Sequence, residues 1–131
     1  MNFNQKKEEI LALEFINSFD YDSARRIYNG FIKKNIANNL HYTNLAFIYA
    51  KNNDWDKVIQ YCKKAIELDN KAYNAWSILG LAYKYKSDYS KAVSAYENSI
   101  KIKPDFFDAY CNLGLVRHIS GDFINAKTAS L

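Results

Sequence analysis

The sequence predicts an all-α fold, and three observations support this prediction. The chain has 131 residues, of which only four are glycine and one is proline, so the turns that a hairpin-rich β protein needs are scarce. Apolar residues recur three and four positions apart, which is the spacing of one helix face. An acidic–aromatic pair also recurs every 34 residues, at Asp20-Tyr21, Asp54-Trp55, Asp88-Tyr89 and Asp122-Phe123. A fixed period of this length is typical of helical repeat proteins.

Each unit of 34 residues is predicted to form two helices. The apolar face of the first helix is clearest in the third unit, at Trp76, Leu79, Gly80 and Tyr83. Polar breaks end the first helix, at Lys86-Ser87 and, one unit later, at Ser120-Gly121. The Asp that follows is a good N-cap, because its carboxylate accepts backbone N–H groups at the positive end of the helix dipole. Pro104 marks the end of a second helix, because it cannot donate a hydrogen bond and it disfavours helix at Lys103.

Small residues recur in phase with the aromatic ones, and they predict where the two helices of a unit cross. Gly80 and Ala92 allow two backbones to approach closely, while larger neighbours fill the space beside the contact. The aromatic stripe is therefore interpreted as core packing rather than as a ligand cage. The residues assigned to this core are Tyr49, Trp76, Tyr83 and Tyr96.

Composition and charge argue against several classes of protein. The net charge is +4, but the basic residues are scattered in short pairs and do not form the stripe expected of a nucleic-acid interface. Residues 1–10 lack the apolar segment of a secretory signal, and no apolar run is long enough to span a membrane. Cys62 and Cys111 lack metal-ligand spacing and suit a reducing compartment. The expected location is the cytoplasm.

The repeated residues resemble the tetratricopeptide repeat (TPR), whose pattern is Trp-x2-Leu-Gly-x2-Tyr followed by Ala, an aromatic residue, Ala and Pro. The third unit matches this pattern almost completely, through Trp76, Leu79, Gly80, Tyr83, Ala92, Tyr96, Ser99 and Pro104. The fourth unit departs from it at Arg117, where an aromatic residue is usual. The first unit departs at Glu8, in the place of Trp, and at Phe31, in the place of a small residue.

The resemblance covers nearly the whole chain and implies a fold and a general role. The implied fold is a right-handed superhelical array of antiparallel helix pairs, with about 3.75 repeats, the last one truncated. Residues 1–131 would form a single array, with repeats at 5–38, 39–72, 73–106 and a partial one at 107–131. The implied role is a protein-interaction scaffold that binds a peptide or a partner protein in the concave groove lined by the first helices.

The family register also assigns inward positions on the first helices. One apolar residue recurs at the same depth in each unit, at Leu13, Phe47, Leu81 and Leu115. The other residues assigned to the groove are Lys51, Lys84, Tyr85 and His118. Apolar anchors beside cations suit an amphipathic or extended segment with some acidic character. The alternative is that the four apolar residues only pack between neighbouring first helices.

Some TPR domains hold chaperone C-terminal carboxylates with a clamp of Lys and Asn from three successive first helices. Carried over to this chain, the clamp would place Glu9 and Leu13 where Lys and Asn are needed. Asn44 matches the clamp, but Asn74 and Ile78 stand where two basic residues are needed. Binding of a chaperone tail by that clamp is therefore not expected.

Catalysis is also not expected, because the sequence offers no convergent set of reactive groups. The two histidines, His41 and His118, come from different units and are interpreted as solvent or groove residues. Cys111 and His118 lie two helical turns apart, about 10 Å, which is too far for direct proton transfer. No catalytic residue, cofactor or metal is predicted.

Two alternative functions remain open from the sequence. The fourth unit has no polar capping helix after it, and Ile124 and Leu131 would present apolar surface, so the chain could form a homodimer or a larger stack through this face. Binding of single-stranded RNA is a weaker alternative, because the aromatic residues mostly occupy core positions of the repeat.

Overall fold

The computed structural model describes the backbone of residues 1–129 and the side chains of residues 1–121. This described part of the chain contains seven α-helices and no strands, which confirms the prediction of an all-α repeat array. The helices are α1 (Phe3–Asn17), α2 (Tyr21–Lys33), α3 (Asn39–Lys51), α4 (Trp55–Leu68), α5 (Tyr73–Tyr85), α6 (Tyr89–Ile102) and α7 (Phe107–Ala129).

The second helices α2, α4 and α6 all begin in the same way, directly after an aspartate. The carboxylates of Asp20, Asp54 and Asp88 each accept a hydrogen bond from the backbone N–H three residues later. A carboxylate at this position satisfies an N–H group that has no partner within the helix. Three of the four N-caps predicted from the acidic–aromatic pairs are therefore confirmed, and the fourth was wrong, because Asp122 lies inside α7.

The turn before each of these N-caps also repeats. Phe19, Asn53 and Ser87 have φ angles of 65°, 58° and 61°, which is the left-handed region. One residue in this conformation reverses the chain direction between the first and second helix of a unit, but it strains a residue that has a side chain. The hairpin of each of the first three units therefore depends on one strained residue.

The predicted break at Ser120-Gly121 was wrong, because α7 continues without interruption from Phe107 to Ala129. Gly121 occupies the place that Ser87 has one unit earlier, yet no glycine in the described chain has a positive φ. The backbone at Gly121 thus stays right-handed and its helical hydrogen bonds continue. A single glycine inside a helix costs only about 1 kcal/mol, which does not end the helix by itself.

The helices stack in chain order, and each packs against the next one. The first helices also touch one another across the array, since α3 contacts α5 and α5 contacts α7. In the described chain no such backbone contact joins α1 to α3. The layer of first helices is therefore closed between α3 and α7 and open at its N-terminal end.

The core lies between these layers and is divided among the units. The fully buried large side chains include Tyr28, Phe31, Leu45, Ile48, Val58, Tyr96 and Val116. Ala24, Val58 and Ala92, which follow the aromatic of each unit by three residues, are all buried where the helices of a hairpin cross. No helix in the described residues has the length and the apolar character that crossing a bilayer requires.

Candidate functional site

The layer of first helices contains two cavities that include residues predicted to line a groove. One lies between α3 and α5 and has a volume of about 240 Å³. We call it the α3–α5 cavity. Its lining residues are Phe47, Ala50, Lys51, Asn53, Trp55, Ile78, Leu81 and Tyr85. Four residues predicted separately for the groove, from two different helices, are thus brought together in one place.

An aromatic residue and a cation are paired on the α3 side of this cavity. The Nζ atom of Lys51 lies 4.8 Å from the centroid of the Phe47 ring. The ring of Tyr21, at the start of α2, meets Phe47 edge-on with a centroid distance of 6.1 Å. The ring of Phe47 therefore packs against Tyr21, and the side chain of Lys51 stays at the exposed surface.

A second aromatic pair forms the α5 side of the cavity. The rings of Trp55 and Tyr85 stack with a centroid distance of 4.5 Å and an angle of 3° between their planes. The Nζ atom of Lys84 lies 5.0 Å from the Tyr85 ring centroid. Tyr85 nevertheless remains 58% exposed. The stack fixes the ring in position while leaving more than half of its surface open to a ligand.

The other cavity lies between α1 and α3, where the layer of first helices is open, and has a volume of about 260 Å³. We call it the α1–α3 cavity. Its lining residues are Glu9, Leu13, Tyr28, Leu40, His41 and Asn44. Near this cavity, the buried Phe31 stands in α2 where the other units have a small residue. Its ring packs 4.8 Å from that of His41, whereas Ser99, at the same place in α6, donates a hydrogen bond to the carbonyl oxygen of Tyr73.

His41 was interpreted as a solvent or groove residue. The solvent-exposed alternative was wrong, since the residue is only 1% exposed, although it does line the α1–α3 cavity. Its Nδ1 atom accepts a hydrogen bond from the backbone N–H of Asn38 at 3.1 Å, which forms a capping box at the start of α3. Its Nε2 atom lies 2.7 Å from Oε1 of Glu9. His41 therefore connects the N-terminus of α3 to a carboxylate on α1.

Tyr28 and Asn44 complete the polar lining of the α1–α3 cavity. The side-chain amide of Asn44 donates a hydrogen bond to the hydroxyl of Tyr28 at 3.0 Å. Burial raises the pKa of Tyr28 above its usual value, and the nearby charge of Glu9 raises it further, against the opposing effect of the Asn44 hydrogen bond. The hydroxyl thus stays protonated near neutral pH and can donate as well as accept.

The predicted groove residues divide among three places. Phe47, Lys51, Leu81 and Tyr85 line the α3–α5 cavity, and Lys84 lies beside it over the Tyr85 ring. Leu13 lines the α1–α3 cavity. Leu115 and His118 lie exposed on α7 and line neither cavity. The family register therefore predicts which residues belong to the groove side of the first helices. It does not predict which of them line the same cavity.

The sequence did not predict three features of this layer: the position of Trp55 at the α3–α5 cavity, the contact of Tyr21 with Phe47, and the pairing of Glu9 with His41. Trp55 was recognised only as an aromatic residue of the repeat. It is the first residue of α4, and this position brings it next to α5. Tyr21, the first residue of α2, likewise contacts α3 through Phe47. The 34-residue period could therefore have indicated that residues at this position lie beside the next first helix. Glu9 and His41 are 32 residues apart, and no local pattern in the sequence pairs them.

The described residues offer little for catalysis or for binding a metal. No group of three or more His, Cys, Asp and Glu side chains in the described part of the chain could hold a metal ion. Cys62 is buried and Cys111 is exposed, and neither forms a disulfide. Burial raises the pKa of the Cys62 thiol, so the reactive thiolate is disfavoured there.

Two family profiles match the sequence. Residues 41–71 match the family described as tetratricopeptide repeat, and residues 80–121 match the one described as TPR repeat. Between them, the two matches cover more than half of the chain. A sequence comparison with curated proteins gives no match.

Solved TPR domains have a similar fold at low sequence identity. The Sgt2 TPR domain from Aspergillus fumigatus is 22% identical and has a TM-score of 0.86, with 95% of this chain and 83% of that chain covered. The first TPR of Spaghetti (RPAP3), bound to the HSP90 peptide SRMEEVD, is 20% identical with a TM-score of 0.84, covering 89% and 93%. The second TPR domain of human RPAP3, in complex with the HSP70 peptide SGPTIEEVD, is 24% identical with a TM-score of 0.78, covering 84% and 92%.

Proposed function

The chain belongs to the tetratricopeptide repeat family, and from this premise we propose that it is a protein-interaction scaffold without catalytic activity. It holds an extended segment of a partner protein in the groove formed by its first helices. The α3–α5 cavity is the main contact. The proposed compartment is the cytoplasm, where two cysteines without a disulfide are usual.

The observation that supports this proposal best is the pairing of aromatic residues with cations at the α3–α5 cavity. Lys51 lies over Phe47, and Lys84 lies over Tyr85, on helices that face each other across one opening. Exposed aromatic residues held in a fixed position bind partners at a low entropic cost, and such residues dominate the binding energy of interfaces. An apolar side chain of the partner would fill the space between Phe47 and Leu81.

The charge beside the cavity favours a partner segment with acidic residues. Lys51 is exposed, and both lysines place an ammonium group at the edge of the opening. Opposite charges across an interface speed association and fix the register of the bound segment. The peptides bound by the two RPAP3 domains, SRMEEVD and SGPTIEEVD, also combine apolar and acidic residues.

A chaperone tail held by the carboxylate clamp does not suit this groove. The clamp positions of α1 are Glu9 and Leu13, which line the α1–α3 cavity together with Asn44. A carboxylate at Glu9 would repel a terminal carboxylate instead of binding it. The proposed acidic contact therefore lies at Lys51 and Lys84, toward the C-terminal end of the first helices.

Affinity capture with a matched pair of variants tests this proposal. The triple variant Phe47→Ala, Tyr85→Ala, Lys84→Glu should remain helical by circular dichroism and should lose the proteins that the wild type captures from a cell extract. The control Gln60→Ala, Lys63→Glu changes exposed or half-exposed residues of α4 and should retain them. If the triple variant captures the same proteins as wild type, the contact lies elsewhere.

Self-association is a second candidate, because one specific observation favours it. Ala46 and Gly80 are buried under the second helix of their units. Gly114, at the same place in α7, is exposed, and a Cβ added there would meet none of the described neighbouring atoms within 4 Å. Tyr110 beside it is 48% exposed. The side chains of Ile124 and Leu131 lie outside the described residues. Light scattering over a wide concentration range tests this candidate, and Gly114→Arg should shift any dimer to monomer.

A further inference from the structure

The N-terminal part of the groove has the opposite electrostatic character to the α3–α5 cavity. We infer that the α1–α3 cavity is a second subsite of the proposed groove and that it binds a basic side chain, lysine or arginine, of the same partner segment. This inference rests on the proposed function. Its basis is a carboxylate and two further polar groups that line one open cavity of about 260 Å³.

The hydrogen bonds of His41 show how its ring contacts the carboxylate of Glu9. The Nδ1 atom of His41 accepts the backbone N–H of Asn38, so this nitrogen carries no hydrogen. The hydrogen of a neutral imidazole then sits on Nε2 and points at Oε1 of Glu9. The contact is a hydrogen bond from a neutral ring to a carboxylate, and the pair as a whole has a net charge of about −1.

The position of this carboxylate is fixed before any ligand binds. His41 is buried between the rings of Tyr28 and Phe31, at centroid distances of 5.6 and 4.8 Å, and it is held by the capping box of α3. Its hydrogen bond engages Oε1 of Glu9, and the carboxylate has a second oxygen to offer to a ligand. A pre-organised acceptor loses little entropy when a cation binds to it.

The remaining lining suits the rest of a basic side chain. Leu13 and Leu40 are 46% and 59% exposed and form apolar walls on either side of the opening. Such walls can cover the methylene groups of lysine or arginine while the charged end reaches the carboxylate. The hydroxyl of Tyr28 and the amide of Asn44 lie in the same cavity and can supply further hydrogen-bond partners.

The two cavities are separated by a distance that sets the spacing of the bound residues. Asn44 lines one and Lys51 the other, seven residues apart on α3, or about 10 Å along the helix. The cavities also lie on opposite sides of α3, which adds roughly one interhelical spacing of 8–10 Å across it. An extended segment covers the resulting 14 Å or so with about four residues. The partner segment should thus carry a basic residue about four positions from its apolar and acidic contacts.

Selection from a phage-displayed library of random short peptides tests the inference. Peptides selected on the wild-type chain should share a lysine or arginine about four positions from an apolar residue with an acidic neighbour. Glu9→Gln keeps an oxygen that can accept the His41 hydrogen bond and removes the charge. It should weaken the selected peptides about tenfold, and replacing their basic residue by alanine should then have no further effect.

The control is Glu14→Gln, which makes the same change of charge on an exposed residue of the same helix and should leave binding unchanged. Loss of peptide binding by Phe47→Ala would support the proposed groove. If the selected peptides then share no basic residue, or if they bind Glu9→Gln as well as wild type, the second subsite is refuted and the proposed function stands. If no peptide is selected, or if Phe47→Ala binds the peptides unchanged, the proposed groove itself is refuted, and the subsite with it.

Discussion

Gly80 lies directly against the ring of Tyr96. A Cβ atom added at Gly80 would lie 2.9 Å from three atoms of that ring, closer than any unstrained contact. Tyr96 is fully buried, so the ring has no free space to move into. The glycine on α5 and the tyrosine on α6 therefore set how closely the two helices of the third unit approach each other.

Replacing Gly80 by alanine should consequently destabilise the protein, even though alanine is the better helix former. We expect a loss of about 1–3 kcal/mol through overpacking against Tyr96, and a larger loss for Gly80→Leu. Gly114→Ala is the matched control, since a Cβ added there meets no neighbouring atom of the described residues within 4 Å. It should raise stability by up to about 1 kcal/mol through helix propensity. Urea denaturation measures the free energy of unfolding of both variants. Equal effects would show that the contact between Gly80 and Tyr96 has room for a Cβ atom.

Ser87→Gly should stabilise the protein. Ser87 is exposed and has a φ of 61°, a conformation that costs a residue with a side chain about 1 kcal/mol and costs glycine almost nothing. Ser94→Gly, on an exposed residue inside α6, should instead destabilise by about 0.5–1 kcal/mol. The two thermal unfolding temperatures should therefore move in opposite directions. A decrease for both variants would contradict the strain assigned to Ser87.

Much of the fold could be predicted because it depends on local signals that repeat. The aspartate caps, the small residues at the crossings and the 34-residue phase each report on contacts within one hairpin. The break at Gly121 failed for the same reason. Sequence alone shows that glycine can adopt a left-handed turn, whereas the structure keeps this one right-handed and continues α7.

The site was less predictable because it depends on contacts between units. The register assigned Phe47, Lys51, Leu81 and Tyr85 to one face, and in the structure these four residues line one cavity. It showed that Phe31 replaces a small residue, but it did not show that this ring packs against His41. The hydrogen bond between His41 and Glu9 joins residues from different units. Histidine has no fixed position in the repeat, so the repeat pattern could not predict this contact.

The two cysteines should differ sharply in reactivity. Cys62 is fully buried, and burial raises the pKa of its thiol, so it should resist a disulfide reagent in the native state even at pH 9. Cys111 is exposed and should react at once. A thiol assay should thus count one group in buffer and two in denaturant. The variant Cys111→Ser should give no rapid reaction, and two rapidly reacting thiols in the native wild type would contradict the burial of Cys62.

The hydroxyl of Tyr96 should be a source of instability. It is buried, and no polar atom in the described part of the chain lies within hydrogen-bond distance of it. A buried hydroxyl without a partner keeps its desolvation penalty, so Tyr96→Phe should stabilise the protein by about 1 kcal/mol at pH 7. Tyr28→Phe is the contrasting variant, because the Tyr28 hydroxyl accepts a hydrogen bond from Asn44, and it should cost about 0.5–1.5 kcal/mol.

Alkaline pH provides an independent test of the same pair of residues. Burial raises the pKa of Tyr96 and of Tyr28 above the ordinary tyrosine value of 10.0. Well below pH 10 both tyrosines are neutral in the folded and in the unfolded chain, so their ionisation does not change the free energy of unfolding there. Above pH 10 the unfolded chain ionises more readily than the folded one, so the free energy of unfolding should fall as pH rises. Tyr96→Phe removes one of these groups and should reduce the fall measured between pH 9 and pH 11 by urea denaturation. A fall as steep in this variant as in the wild type would mean that Tyr96 ionises freely in the folded chain and is not buried in the α5–α6 contact.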